Sequence, residues 1–128
     1  MTNQVHLFDK ISNQTIYKGE AVIDFCANNG LVVRFQNDTH HFEWKIWENG
    51  LVIHSESEVV VHLTLRLNGH TKGHIDTEFG KIDLKCHTSV YSMDENFVEV
   101  QYSLIQGEEE QKFHFVLYIN KEDIYAVN

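Results

Sequence analysis

The sequence predicts an all-β fold, a single antiparallel up-and-down β-barrel of about ten strands over residues 1–128. Three observations carry this reading. Between Gly80 and Ile119 apolar residues recur at every second position, as Ile82, Leu84 and Cys86, then Val98, Val100, Tyr102 and Leu104, then Phe113, Phe115, Leu117 and Ile119. That is the period of a half-buried strand, not of a helix. Turn signals such as Asn28-Asn29-Gly30, Asn49-Gly50 and Asn68-Gly69 separate similar runs. Proline is absent, where an average chain of this length carries about six; a proline removes a ladder hydrogen bond, so its absence suits a chain made mostly of strand.

Taken in order, the first run places Val5, Leu7 and Ile11 on one face, and the second Tyr17, Ala21, Ile23 and Phe25, with Gly19 marking a bulge or bend. Leu31, Val33 and Phe35 follow the Asn28-Asn29-Gly30 turn, and then Phe42, Trp44 and Ile46. A two-residue loop at Asn49-Gly50 pairs Ile46 with Ile53, Trp44 with Ser55 and Trp47 with Val52. Val59, Val61, Leu63, Leu65 and Leu67 form the next face. A three-residue loop at Asn68-Gly69-His70 keeps that face matched, pairing Leu67 with Thr71, Leu63 with Ile75 and Val59 with Phe79. A two-residue turn at Gly80-Lys81 then pairs Phe79 with Ile82, Thr77 with Leu84 and Ile75 with Cys86. The last hairpin turns through Gly107-Glu108-Glu109-Glu110 and pairs Tyr102 with Phe115. Consecutive hairpins favour an up-and-down barrel, whose closure removes exposed strand edges.

Composition narrows the function. The net charge of -9 repels a phosphate backbone and an anionic membrane surface, so neither nucleic acid nor membrane is expected as a partner. Cys26 and Cys86 are too few for a disulfide framework and read as reduced thiols, which fits a cytoplasmic protein. The N-terminal MTNQVHLFDK has no apolar core, so no signal peptide is expected. No run is long and apolar enough for a membrane helix.

Between Trp47 and Ile119 the chain resembles the YwiB-like family of small bacterial proteins of unknown function. The resemblance rests on Gly50-Leu51-Val52-Ile53 after a turn, Thr77-Glu78-Phe79-Gly80-Lys81-Ile82-Asp83-Leu84-Lys85, Val100-Gln101-Tyr102-Ser103-Leu104 and Gly107-Glu108. The first forty residues match in strand pattern only. The resemblance implies a ten-strand calycin (lipocalin-like) barrel in a Gram-positive cytosol, and it brings no catalytic residue.

Nucleophile elbows, Cys-x-x-Cys and phosphate-binding glycine loops are absent. Cys86 and His87 are adjacent, which sends them to opposite faces of a strand. No catalytic residue and no cofactor is therefore expected, and an enzyme ranks third among the readings. The first is a non-catalytic binding module for a small apolar ligand inside the barrel. Thr15, Tyr17, Thr71, Thr77 and Tyr102 are its inward polar-capable residues and Trp44 is inward too; Tyr17, Trp44, Thr77 and Tyr102 are the expected lining. The alternative is a structural or protein-interaction module, with a homodimer or partner contact at outward Trp47 and Val52.

The nine histidines offer a third kind of chemistry. His6, His41, His54, His62, His74, His87 and His114 fall opposite the apolar faces, His70 in a turn, and His40 at a strand end. The pairings above set His62 against Asp76 and His74 against His87, so His62, His74, Asp76 and His87 are the candidate ligands of a zinc or nickel ion, with Lys85 nearby opposing a cation. The same imidazoles could offset much of the negative charge in mild acid.

Overall fold

The computed structural model describes residues 3–121, and every regular element in them is a strand. The ten are β1 (Asn3–Asp9), β2 (Gln14–Cys26), β3 (Gly30–Gln36), β4 (His41–Trp47), β5 (Gly50–Glu56), β6 (Val60–Arg66), β7 (His70–Thr77), β8 (Gly80–Met93), β9 (Phe97–Gln106) and β10 (Glu109–Lys121). Each pairs antiparallel with its neighbour in sequence, and β1 pairs with β10 through Val5↔Ile119 and Leu7↔Leu117 to close the barrel. The up-and-down architecture expected from the alternation is thus the one found. Closure pairs the first and last strands, β1 and β10, with each other.

The inward positions fill the centre. Trp44, Ile46, Leu51, Leu63, Leu65, Val33, Val100 and Leu117 are all fully buried there. Each such aliphatic side chain removed from water contributes about 1.5–3 kcal/mol before entropy is subtracted. Tyr91 ties two sides of the barrel together, its hydroxyl donating to the carbonyl of Trp47 at 2.5 Å. Burial pushes that phenol well above its ordinary pKa.

Four hairpins keep their expected faces but not their expected partners. In β4–β5 the turn is Glu48-Asn49, so Trp47 faces Gly50, Ile46 faces Leu51 and Trp44 faces Ile53. Gly50 is not the turn residue because it is needed elsewhere: a Cβ there would collide with the carbonyl oxygen of Leu65 on β6. In β6–β7, Leu63 faces Gly73 and Val61 faces Ile75. Gly73 leaves the room that Leu63 fills, since a Cβ would come within 2.6 Å of Leu63 Cδ2. In β7–β8 the turn is Glu78-Phe79, and Thr77 faces Gly80. The Thr77 hydroxyl stabilises that turn, accepting from the Phe79 amide at 3.1 Å and donating to the Gly80 carbonyl at 3.0 Å. Phe79, expected inward, is therefore at the tip and 92% exposed. In β9–β10, Tyr102 faces Phe113, because Gly107 takes φ +62° in a two-residue turn with Glu108. All four shifts are even, so no strand turned over.

Two bulges do change faces. The β1–β2 ladder slips between Leu7↔Tyr17 and Phe8↔Thr15, which places the bulge at Ile16 and not at Gly19. Thr15 consequently points outward, where its hydroxyl meets His6 Nε2 at 2.7 Å. A second slip at Ser89 lets Thr88 and Tyr91 both face inward. At the ends, Ile11 lies in a turn and Phe25 at the rim, 59% and 86% exposed, where alternation had placed both inside.

Candidate functional site

The position of the site follows from a break in the sheet. β2 pairs with β1 along Gln14–Ala21 and with β3 only from Val22↔Arg34 to Cys26↔Gly30. β3 continues past Arg34 through Phe35 and Gln36, paired there to β4 but not to β2. A cleft of about 1070 Å³ opens at this seam, with Tyr17, Glu20, Ala21 and Val22 on the β2 side and Arg34, Phe35 and Gln36 on the β3 side.

Its floor is aromatic. Tyr17 lies 4.8 Å from Phe35 between ring centroids, and Phe35 stacks on Phe42 at 4.9 Å and 17°. His40 continues the stack beyond Phe42 at 5.7 Å. The Tyr17 hydroxyl donates to the Glu20 carbonyl at 2.6 Å, holding the ring against the seam. Its pKa is raised, first by desolvation and then by Glu20.

Its wall is the outer face of β3 to β6, which is charged. Arg34 Nε donates to Glu43 Oε2 at 2.8 Å and Nη1 to Asp24 Oδ2 at 3.1 Å, while Lys45 Nζ stands 3.8 Å from Glu43 Oε1. One carboxylate, Glu43, thus serves two cations. Next to it His54 Nδ1 and His62 Nδ1 approach to 3.5 Å, and His54 Nε2 meets Glu56 Oε1 at 3.1 Å. The His62 ring stacks on His74 at 5.3 Å. The His62 imidazole is held below the ordinary histidine value, first by burial and then by His74, His54 and Lys45.

Of the expected ligand-lining residues, Tyr17 alone lines this cleft. Trp44 and Tyr102 belong to the buried core, and Thr77 serves its own turn. Burial raises the Tyr102 phenol far above its usual range. The expected metal ligands are only partly gathered. His62 lies opposite His74, and His74 Nε2 is 3.7 Å from Asp76 Oδ2. The expected opposition of His74 and His87 does not form: the β7–β8 register sets His74 against Asp83 and stacks His87 on His70 at 4.5 Å. Among the described residues no three His, Cys, Asp or Glu side chains converge on a point that would hold an ion.

Trp47 and Val52 line a second, smaller cleft of about 690 Å³, and Val52 is the ridge it shares with the first. Val52 faces Lys45 across the ladder, not Trp47. The Trp47 indole lies over Gly30 and donates to the Ala27 carbonyl at 2.9 Å, so its polar atom is engaged within the chain.

Phe35, Phe42, Arg34 and His54 are site residues that sequence reasoning did not single out. Nothing in the alternation of β2 and β3 marks where they part, so no local signal located the cleft.

No family model matches the chain, and no curated protein sequence matches it. Among solved structures it is similar to the ywiB protein from Bacillus subtilis, with 12% sequence identity over 93% of this chain and 89% of that one and a TM-score of 0.61. That likeness extends over nearly the whole barrel and concerns the fold. Among the described residues no helix is long and apolar enough to cross a membrane.

Proposed function

We propose that this protein is a non-catalytic binding barrel for a small, largely apolar ligand, comparable in role to a lipocalin but loaded through its side. The observation that carries the reading is the stacked floor of Tyr17, Phe35 and Phe42 inside a cleft large enough for a small molecule. Aromatic faces give a ligand large contact area at low entropic cost. The ligand of this reading lies at the β2–β3 seam, where the edge of the core at Tyr17, Phe35 and Phe42 meets the cleft. A bacterial, cytoplasmic setting is part of the proposal and rests on the free thiols of Cys26 and Cys86 and on the YwiB-like barrel.

Titration of a neutral apolar dye such as N-phenyl-1-naphthylamine tests it. Saturable binding at one site is expected, weakened about tenfold in Phe42→Leu, which keeps apolar volume and loses the flat ring. Binding that ignores this change, or no binding, overturns the reading.

A second reading, an interaction module, is favoured by one observation. Phe25, 86% exposed, shares a rim with the Trp47 cleft and with Leu67, 39% exposed. Self-association through that rim would be lost in Phe25→Ser, as read by sedimentation velocity.

A further inference from the structure

Arg34, Glu43, His54, His62 and His74 stand directly opposite one another on five successive strands, and Asp83 on β8 ends the row. The outer two imidazoles have carboxylates beside them: Glu56 at 3.1 Å from His54 and Asp76 at 3.7 Å from His74. His62 has none. It meets the Nδ1 of His54 at 3.5 Å and the ring of His74, and Lys45 adds a positive charge that acts on it. Glu43, the carboxylate opposite His54, is already bonded to Arg34 and close to Lys45. A proton on His62 therefore finds Lys45 and two imidazole rings around it, and no paired anion among the described residues.

The charges of the lining as a whole point the same way. The cleft is bordered by Glu20 on β2, Arg34 on β3, His41, Glu43 and Lys45 on β4, His54 and Glu56 on β5, and His62 on β6. With the imidazoles neutral, two cations face three carboxylates; with all three protonated, five cations face three. Charging the three imidazoles would therefore reverse the sign of the cleft, in a chain that carries -9 overall at pH 7.

Resting on the cleft reading above, we propose that the ligand is an amphipathic anion. Its apolar body lies on Tyr17, Phe35 and Phe42, its sulfonate- or carboxylate-like head sits at His62 between Lys45 and His54, and it binds with uptake of a proton by the histidine row. Protonation supplies the charge-assisted hydrogen bond to the head group, and the head group supplies the counter-charge that His62 lacks.

Two probes of equal apolar length separate this from the cleft reading itself: decanesulfonate, ionised throughout, and decanol, neutral throughout. Each displaces N-phenyl-1-naphthylamine at about pH 7.5 and about pH 5.5. Decanesulfonate is expected to tighten about tenfold at the lower pH while decanol does not change. Calorimetry in two buffers of different ionisation enthalpy is expected to show proton uptake with decanesulfonate alone. His62→Gln is expected to remove the pH dependence of decanesulfonate binding, whereas His87→Gln, away from the cleft, leaves it in place. Decanol binding with decanesulfonate pH-independent, or equally pH-dependent in His62→Gln, overturns the proposal and leaves the cleft reading standing. Failure of both probes to bind overturns both.

Discussion

Gly50 on β5 lies directly against the carbonyl oxygen of Leu65 on β6, leaving no space for a Cβ. The contact is backbone to backbone, so no side chain can swing away to relieve it. Gly50→Ala is expected to cost about 1–3 kcal/mol, read as a lower urea midpoint with unchanged slope. Gly107→Ala is a useful contrast: there a Cβ meets nothing, and the cost comes from φ +62° alone.

Tyr91→Phe deletes the hydroxyl that reaches the Trp47 carbonyl across the barrel. The carbonyl is left without that donor, and a loss of about 1–3 kcal/mol is expected in chemical denaturation. A variant as stable as the parent would mean the bond contributes nothing net.

The two tryptophans should separate cleanly. Trp44 is 2% exposed in the centre of the core, and Trp44→Ala is expected to cost about 3–5 kcal/mol. Trp47→Phe keeps a ring over Gly30 and loses the bond to the Ala27 carbonyl, for about 0.5–1.5 kcal/mol. Equal losses in the two variants would contradict this placement of the core.

Acid stability should depend on His62. Its folded pKa lies below the ordinary value of about 6.5. The neutral ring's contribution is therefore full above the unfolded pKa and lost as pH falls through the lower, folded one. Between about pH 7 and pH 5 the parent is expected to lose more stability than His62→Gln, in thermal melts free of anionic amphiphiles. Parallel curves would remove His62 from the account.

Much of the barrel is legible in the residues because side-chain alternation fixes which face of a strand is buried. Leu63, Val100 and Leu117 fall inside, and the row of histidines falls outside, on that ground alone. Registers are less legible, because they hang on where a turn falls. Asn49-Gly50 carries the strongest hairpin signal in the chain, yet Gly50 is spent on Leu65, a residue fifteen positions away that no local pattern can foresee. Thr77 likewise captures its turn with a hydroxyl, which moves His87 away from His74. The bulges at Ile16 and Ser89 carry no glycine or proline to announce them, so Thr15 reads on the wrong face. The cleft was least legible of all, since it arises where β2 and β3 separate and depends on both ladders at once.

The most direct test of the side-loaded barrel is amide chemical-shift mapping of the ¹⁵N-labelled protein with decanol. The expected result is a set of saturable shifts centred on Tyr17, Ala21, Phe35 and Phe42. Shifts centred on Trp44 and Tyr102 in the core, or on Trp47 at the rim, would contradict it, as would a spectrum that does not change.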